Sequence, residues 1–235
     1  MRKRAVITLW LIVAIALVAN VAFPIRTGLT RMSLLALAFL TIAGAIALTW
    51  RIRILRFLIV GICIALSLFL LWPSASSPDP SAVRDLYIQR LQKYNGARYV
   101  YGGENRLGVD CSGLVREGMI EALLSYGIVH HHPGAVRAAL NLWWHDSNAI
   151  MLAKMPELTR PVKGEDYVVL HNTSGIEAGD LAITQSGSHV LAYLGNSRWI
   201  EADPGLGRTH VFTLNDEFKH LSDELVLFVR WRWLE

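Results

Sequence analysis

Three apolar runs near the start of the chain constrain its fold more than any other feature. A helix needs about 20 apolar residues, with roughly 17 as a lower limit, to cross the ~30 Å hydrocarbon core of a bilayer. The third run is short, but it reaches this limit if Arg53 and Arg56 extend their charged ends toward the lipid headgroups. We therefore predict transmembrane helices at about 5–23, 33–50 and 54–72.

Charge separates the same region from the rest of the chain. Eight of the 23 basic residues but only one of the 19 acidic residues lie in residues 1–80, so the formal net charge of +4 divides into +7 there and −3 beyond. The basic residues flank apolar runs and do not form a basic domain face, which argues against nucleic-acid binding. The composition also excludes a disordered, collagen-like or coiled-coil chain.

Lysine and arginine are enriched on the cytoplasmic side of membrane proteins, and this rule predicts an orientation. Six basic residues, at positions 2–4, 51, 53 and 56, would lie inside, whereas Arg26 and Arg31 would lie outside. After three crossings, residue 73 onward is predicted to be extracytoplasmic. If residues 1–22 were instead a cleaved signal peptide, two helices would remain and the C-terminal domain would have the same location.

The Pro/Ser-rich segment 73–81 (PSASSPDPS) cannot continue a helix, and we expect it to be extended and solvated. It divides the chain into a membrane anchor at 1–72, a linker at 73–81 and a domain at 82–235. The domain is long enough to bury a core of its own.

Apolar spacing within the domain predicts helices first and strands afterwards. The helices are expected at Ala82–Tyr94, Ser112–Tyr126 with Gly127 as C-cap, and Ala135–Trp144. Short β runs follow at 180–184, 189–194, 198–202, 209–214 and 225–231, with a tight turn at Gly195-Asn196. Helices followed by an antiparallel meander indicate an α+β fold.

One of the two cysteines occupies a position suited to catalysis. Cys63 lies inside the third apolar run, where a small packing residue is expected. Cys111 lies in the sequence Asp110-Cys111-Ser112-Gly113, at the point where a glycine-containing loop becomes a helix. The positive potential of a helix N-terminus favours a thiolate and can hold an oxyanion. Cys111 is therefore either a nucleophile or an inert core residue, and its setting favours the nucleophile.

Several motifs occur together in one order along the domain. They are Tyr99-Val100-Tyr101-Gly102-Gly103, Asp110-Cys111-Ser112-Gly113-Leu114-Val115, Gly179-Asp180-Leu181, and Ser188-His189-Val190 followed by Tyr193-Leu194-Gly195-Asn196. In this order they resemble the NlpC/P60 family of cysteine peptidases. These papain-like enzymes cut peptidoglycan stem peptides, commonly between γ-D-glutamate and the diamino acid. The resemblance covers about residues 82–235.

The resemblance implies a role for six residues. Cys111 would be the nucleophile and His189 its general base, and the free amino end of the stem peptide would be held by Tyr99, Asp110 and Ser112. The position of the family's third polar residue, often a histidine, is here Glu201, whose carboxylate could fix the imidazole tautomer. The related CHAP amidases also use acidic or amide partners.

Each of these residues also has a structural alternative. His189 could be an ordinary strand histidine, Glu201 an exposed carboxylate, Asp110 an N-cap and Tyr99 a core residue. If Glu201 is not the residue that orients the imidazole, Asp203 and His210 are the nearest other candidates.

Cys111 and His189 are 78 residues apart, more than a minimal family member requires, so we predict an insertion at about 129–178. It contains His130-His131-His132, which lacks the i, i+4 spacing of a helical zinc site. We expect a solvated polar loop at these three histidines, a core position for Trp143-Trp144, and no metal or other cofactor.

Together these features predict a membrane-anchored cysteine peptidase acting on peptidoglycan stem peptides outside the bacterial cytoplasmic membrane. Residues 5–72 would contact the bilayer, and no nucleic-acid partner is expected. Two alternatives remain: a CHAP-like amidase or other thiol acyl-transfer enzyme on the same scaffold, and a catalytically silent cell-wall-binding module.

Overall fold

The computed structural model describes residues 2–74, 76–164, 166–214, 221 and 223–235. It begins with helices α1 (Arg2–Ala22), α2 (Gly28–Leu48) and α3 (Arg53–Leu71). Among the described residues, these three helices are long and apolar enough to cross a membrane. The second begins earlier than predicted because Thr27 caps it and Thr30 completes a capping box.

Among the described residues of the C-terminal domain, four α-helices are present: α4 (Pro80–Gln92), α5 (Cys111–Val129), α6 (Pro133–Trp144) and α7 (Ala149–Lys154), and a short 3-10 helix follows at Arg232–Leu234. Helix α5 is central and buried along most of its length. The predicted C-cap at Gly127 is wrong, because α5 continues to Val129. Helix α6 instead approaches α5 closely at Gly127. A Cβ at this position would lie 2.5 Å from the side chain of Val136, so a larger residue would clash with α6.

The described residues of 73–79 are non-helical and mostly exposed, as expected, but the segment is also held to the domain. Helix α4 already starts at Pro80, where Asp79 provides the N-cap. Ser74 Oγ accepts a hydrogen bond of 2.8 Å from Gly134, and the Asp79 N–H donates to Tyr126 Oη at 3.0 Å. The predicted absence of helix holds for the described residues between α3 and α4, but polar contacts fasten this segment to α5 and α6.

A short hairpin, β1 (Glu104–Asn105) and β2 (Gly108–Val109), precedes α5. The main sheet contains β3 (Thr159–Pro161), β4 (Val168–Val169), β5 (Leu181–Thr184), β6 (Val190–Gly195), β7 (Arg198–Asp203), β8 (Arg208–Thr213) and β9 (Leu225–Trp231). Its order is β3-β9-β5-β6-β7-β8, with β4 also paired to β9.

The expected meander is present in β5 to β8, where each strand pairs antiparallel with the next. The last strand does not extend it, because β9 returns to pair with β5. The turn between β6 and β7 lies one residue later than predicted. Gly195 pairs with Arg198, and Asn196 and Ser197 have φ of 52° and 57°, as a two-residue hairpin of type I′ requires.

The predicted insertion at 129–178 contains two helices and two short strands, and the solvated polar loop expected at His130-His131-His132 is the turn between α5 and α6, where His130 and His131 are exposed. The insertion supplies α6, α7, β3 and β4, and both of its strands extend the sheet at β9. His132 caps α6 by accepting a hydrogen bond from Ala135, and His130 stacks on Tyr126. Trp143 packs against the core as expected, whereas Trp144 is 43% exposed.

The core lies between the helices and one face of the sheet. Helix α4 buries Val83, Tyr87 and Leu91, which are spaced four residues apart and so share one face. A smaller apolar cluster around Trp199 and Phe228 covers the other face of the sheet. The α+β class predicted from the sequence is confirmed, and this packing brings the start of α5 beside β6 and β7.

Candidate active site

The candidate nucleophile is the first residue of α5, and the residue before it fixes that helix start. Asp110 Oδ1 accepts hydrogen bonds from the Gly113 N–H (2.7 Å) and the Ser112 hydroxyl (2.9 Å). Its other oxygen accepts from the Gly102 N–H at 2.8 Å. Asp110 is therefore an N-cap, the structural alternative considered above, and it also ties the glycine loop to the helix that carries Cys111.

Close packing at Gly113 explains the glycine that follows Ser112. A Cβ on Gly113 would lie 2.1 Å from the carbonyl oxygen of Gly103, so a larger residue would push the glycine loop away. Cys111 is free and 8% exposed, and its Sγ lies 3.9 Å from the carbonyl oxygen of Ser188. The nucleophile therefore lies close to the residue that precedes His189.

The structure brings His189 and Glu201 together from neighbouring strands. His189 stands immediately before β6, and its Nε2 lies 2.5 Å from Oε2 of Glu201 on β7. Interaction with the Cys111 side chain raises the pKa of the same imidazole. Cys111, His189 and Glu201 thus form a row of interacting groups, with the imidazole between the other two.

Opposing effects act on the imidazole. Burial lowers the pKa of His189, but hydrogen bonds with Cys111 and Glu201, and the negative charges of these two partners, raise it to about 10. At neutral pH the ring is then an imidazolium.

A second histidine contacts Glu201 from the other side. His210 on β8 is the direct cross-strand partner of Glu201, and its Nε2 lies 3.0 Å from Glu201 Oε1. Glu201 is only 3% exposed, so it is not the exposed carboxylate considered as an alternative. From the sequence, His210 is a candidate for orienting the imidazole only if Glu201 does not. Side chains alternate between the two faces along β7 and β8, and this alternation is the signal that places Glu201 and His210 on the same face.

Glu201, Asp203 and His210 have ligand atoms within 4.8 Å of one another, a spacing that could hold a metal ion. Both Glu201 oxygens, however, already contact histidine rings. The arrangement therefore favours orientation of His189 by Glu201 over metal binding.

A cleft of about 660 Å³ opens beside the nucleophile. Tyr99, Asp110, Cys111 and Ser112 line it, as does Ser188 next to His189. Burial, followed by the charges of Cys111 and Asp110, raises the pKa of Tyr99 to about 12, so its hydroxyl remains a neutral donor. The residues expected to bind substrate thus lie in the same cleft as the thiol, whereas Glu201 lies behind His189.

Another wall of the cleft comes from the membrane anchor, which the sequence does not indicate. Residues 25–27, between α1 and α2, line the cleft. The Arg26 N–H donates to the Gly102 carbonyl at 3.0 Å, and the Glu104 N–H donates to the Pro24 carbonyl at 2.9 Å. The anchor and the domain therefore meet through a short backbone pairing.

A buried ion cluster strengthens this contact. Arg31 of α2 is 2% exposed, and its guanidinium lies 2.8 Å from both carboxylate oxygens of Glu104. Arg116 of α5 also binds Glu104 and donates to the carbonyl of Leu142. The positive-inside rule counts Arg31 as a solvated loop charge, but in the structure this residue is buried. Through Glu104 it joins the anchor to the helix that carries Cys111.

Comparison with known families agrees with the motifs. The family model described as NlpC/P60 matches residues 96–220, a little over half of the chain. The chain belongs to the NlpC/P60 family. The match includes Cys111, His189 and Glu201 and begins after the three apolar helices. It identifies the C-terminal domain as one of a family of peptidoglycan hydrolases.

Solved structures of the same family are similar at low identity. The P60 domain of an antigen from M. avium subspecies paratuberculosis is 19% identical, covers 64% of this chain and 96% of its own, and has a TM-score of 0.38. The peptidoglycan hydrolase RipB from Mycobacterium tuberculosis is 18% identical, with 70% of each chain covered and a TM-score of 0.37. An NlpC/P60 family protein from Bacillus cereus is 16% identical over 69% of this chain and 42% of its own, with a TM-score of 0.39. No curated protein matches the sequence.

Proposed function

We propose that this NlpC/P60 protein is a membrane-anchored cysteine peptidase that hydrolyses an amide bond in peptidoglycan stem peptides. The observation that carries the proposal is the row formed by Cys111, His189 and Glu201, with the thiol at a helix N-terminus. A nucleophile beside a base that a third group orients is the arrangement that acyl transfer requires.

In the first step the Cys111 thiolate attacks the amide carbonyl carbon, and the carbonyl oxygen becomes an oxyanion. The first N–H groups of a helix have no acceptor within it. Asp110 takes those of Gly113 and Leu114, so the N–H groups of Cys111 and Ser112 are the ones we assign to the oxyanion. Such preorganised donors stabilise charge that develops in the transition state.

In the second step the C–N bond breaks, and His189 gives its proton to the leaving amine. The acyl group remains on Cys111 as a thioester. Water then attacks the thioester while His189 accepts a proton, and the thiolate leaves, which releases the carboxylic acid product. Glu201 keeps the ring oriented and stabilises the imidazolium in both half-reactions.

Substrate recognition would use the same side of the cleft. Tyr99, Asp110 and Ser112 lie together there, and a carboxylate such as Asp110 can pair with an ammonium group. This suits the free amino end of a stem peptide. By its resemblance to the family we propose D,L-endopeptidase cleavage between γ-D-glutamate and the diamino acid.

We further propose that the anchor spans the bacterial cytoplasmic membrane with the domain outside. The α1–α2 turn and the end of α3 both contact the domain, so they lie on one side of the membrane. The more basic ends of the helices then lie on the other side, in agreement with the positive-inside rule. Alkaline phosphatase fused at Ser81 should be active; activity only of a cytoplasm-dependent reporter there would contradict the orientation.

Digestion of a defined muropeptide by the full-length protein tests the reaction. We expect mass spectrometry to show cleavage between γ-D-glutamate and the diamino acid, and no product with the Cys111→Ala variant. Cleavage between muramic acid and L-alanine would identify an amidase instead. Binding without turnover by the wild type would identify a silent cell-wall-binding module.

A further inference from the structure

The position of the cleft relative to the anchor indicates which stem peptides reach it. We propose that the α1–α2 turn completes the substrate cleft at the membrane surface, and that the substrate is a stem peptide still attached to a membrane lipid carrier. This inference rests on the proposed peptidase function and specifies the class of its substrate.

Hydrogen bonds connect the turn to the nucleophile over a short path. The Arg26 N–H donates to the carbonyl of Gly102, and the Gly102 N–H donates to the carboxylate of Asp110, the residue before Cys111. Ile25 packs near Gly102, where a Cβ would lie 3.5 Å from its side chain. The anchor turn is therefore a wall of the cleft and not a distant tether.

The cleft must also lie close to the lipid headgroups. Helix α1 ends at Ala22, and Ile25 is three residues further along. Three residues span at most about 11 Å. The polar layer on each side of a bilayer is about 5–8 Å thick. Ile25 therefore lies within or just above the headgroup layer, and the cleft that it lines opens at that level.

The hairpin loop beside the cleft makes a second contact with the end of α1. Asn105 Nδ2 donates to the carbonyls of Ala22 and Phe23, both at 3.2 Å. Leu107 of this hairpin and Tyr101 of the glycine loop just before it are 64% and 84% exposed. Exposed aromatic and apolar side chains beside the end of a transmembrane helix are typical of the membrane–water interface.

Helix α6 contacts the end of another membrane helix, which fixes the tilt of the domain. Arg137 donates to the carbonyls of Leu70 at 2.7 Å and Trp72 at 2.8 Å, at the end of α3. Leu140 and Trp144 follow three and seven residues later, on the same helix face, and are 44% and 43% exposed. This apolar face continues from α3, so we assign it to the headgroup layer.

The domain is held on the anchor at two places, the β1–β2 hairpin and helix α6. The cleft therefore cannot turn away from the membrane toward the wall polymer. A stem peptide on a lipid carrier diffuses in the same plane and reaches the cleft at a high effective concentration. A peptide in the polymer carries the same chemistry but is not confined to that plane. The geometry therefore favours the lipid-linked form.

The test uses the full-length protein in lipid nanodiscs and three substrates with the same stem peptide. These are a lipid-linked disaccharide pentapeptide in the disc, the corresponding soluble disaccharide pentapeptide, and isolated polymeric sacculi. We expect the lipid-linked form to be cut at least about tenfold faster than the soluble one. Equal rates, or faster cleavage of sacculi, would overturn the inference and leave the peptidase function intact. Cleavage of none of them would overturn both.

A matched pair of variants separates docking from simple membrane attachment. Arg31→Met removes the link to Glu104, whereas Arg51→Met changes an exposed arginine beyond the other end of α2. We expect the preference for lipid-linked substrate to fall several-fold in Arg31→Met only. If Arg31→Met does not fold, Ile25→Ala shortens the same wall and should reduce the preference too. An unchanged preference in the folded variants would contradict a role for the anchor turn.

Discussion

The two walls of the cleft are built in different ways. The wall that carries Cys111 and His189 lies within the residues matched by the family model and uses an N-cap and a strand pair. The second wall comes from the anchor and is held by Arg31 and Glu104, which are 73 residues apart. The first wall is a local motif that many sequences can share, whereas the second exists only because this chain places an anchor beside its domain.

The walls should therefore fail differently when they are mutated. Loss of a group in the first wall removes a chemical step and leaves the fold. Loss of a charged residue in the second wall leaves a buried charge without all of its ion-pair partners, which lowers the free energy of unfolding. Activity and stability measured on the same variants separate the two.

The largest expected effect is on turnover in the Cys111→Ala variant. The change removes the nucleophile but little volume, so hydrolysis should be abolished while the melting temperature stays near that of the wild type. Cys63→Ala is the matched control, because Cys63 lies in α3, and it should retain activity. Turnover of Cys111→Ala near the wild-type rate would exclude the cysteine mechanism.

The next largest effect is expected on turnover in variants of Glu201, the residue that contacts His189. Glu201→Gln keeps a hydrogen-bonding side chain but removes the charge that stabilises imidazolium, so we expect turnover to fall by about ten- to a thousandfold, less than the ~10⁴ of a triad aspartate changed to an amide. Glu201→Ala should be slower and His189→Ala slower still. Wild-type turnover by Glu201→Ala with an inactive His189→Ala would show that the carboxylate is a bystander.

On the anchor wall, Arg31→Met should affect stability more than chemistry. Glu104 keeps Arg116 as a partner, so we expect a loss of about 3 kcal/mol in the free energy of unfolding, the lower end for a broken buried ion pair. Thermal unfolding of the full-length protein measures this, with Arg51→Met as the control. Equal stability of the two variants would mean that the buried pair does not hold the anchor to the domain.

The smallest effect is expected at His210, which acts through Glu201 as a positioning residue. His210→Ala removes one hydrogen bond to that carboxylate, so we expect a loss of about two- to tenfold in turnover. The pH profile should also shift, since Glu201 is then less firmly held against His189. Thr213→Ala, at an exposed position of the same strand, should change neither; an unaltered pH profile in His210→Ala would assign His210 a structural role only.

The sequence could predict whatever depends on short-range pattern. The three apolar helices, the start of α5 near Cys111, the strand that follows His189 and the strand that carries Glu201 follow from periodicity and motif. The C-cap at Gly127 is wrong because the closeness of α6, and not a helix end, requires that glycine. The position of β9 next to β5 has no local signal at all.

The anchor wall was unpredictable for a similar physical reason. Arg31 lies beside an apolar run, where a basic residue ordinarily marks the membrane interface. Nothing near Glu104 in the sequence indicates that it faces Arg31, since the pairing depends on how α2 meets the β1–β2 hairpin. Residues 73–81 similarly look solvated in composition, yet three-dimensional contacts with α5 and α6 fasten them.

The protonation of His189 gives the most direct test of the central claim, that this imidazole joins Cys111 to Glu201. NMR titration of the labelled histidine rings, with the His189 signal assigned through the His189→Gln variant, measures it. We expect the ring to remain protonated through neutral pH and to titrate at about 10, as one of two coupled groups. Because this folded value exceeds the ordinary 6.5, the associated stability is fully present below pH 6.5 and lost as the pH rises through about 10. A midpoint near 6.5 that Glu201→Gln leaves unchanged would contradict the account.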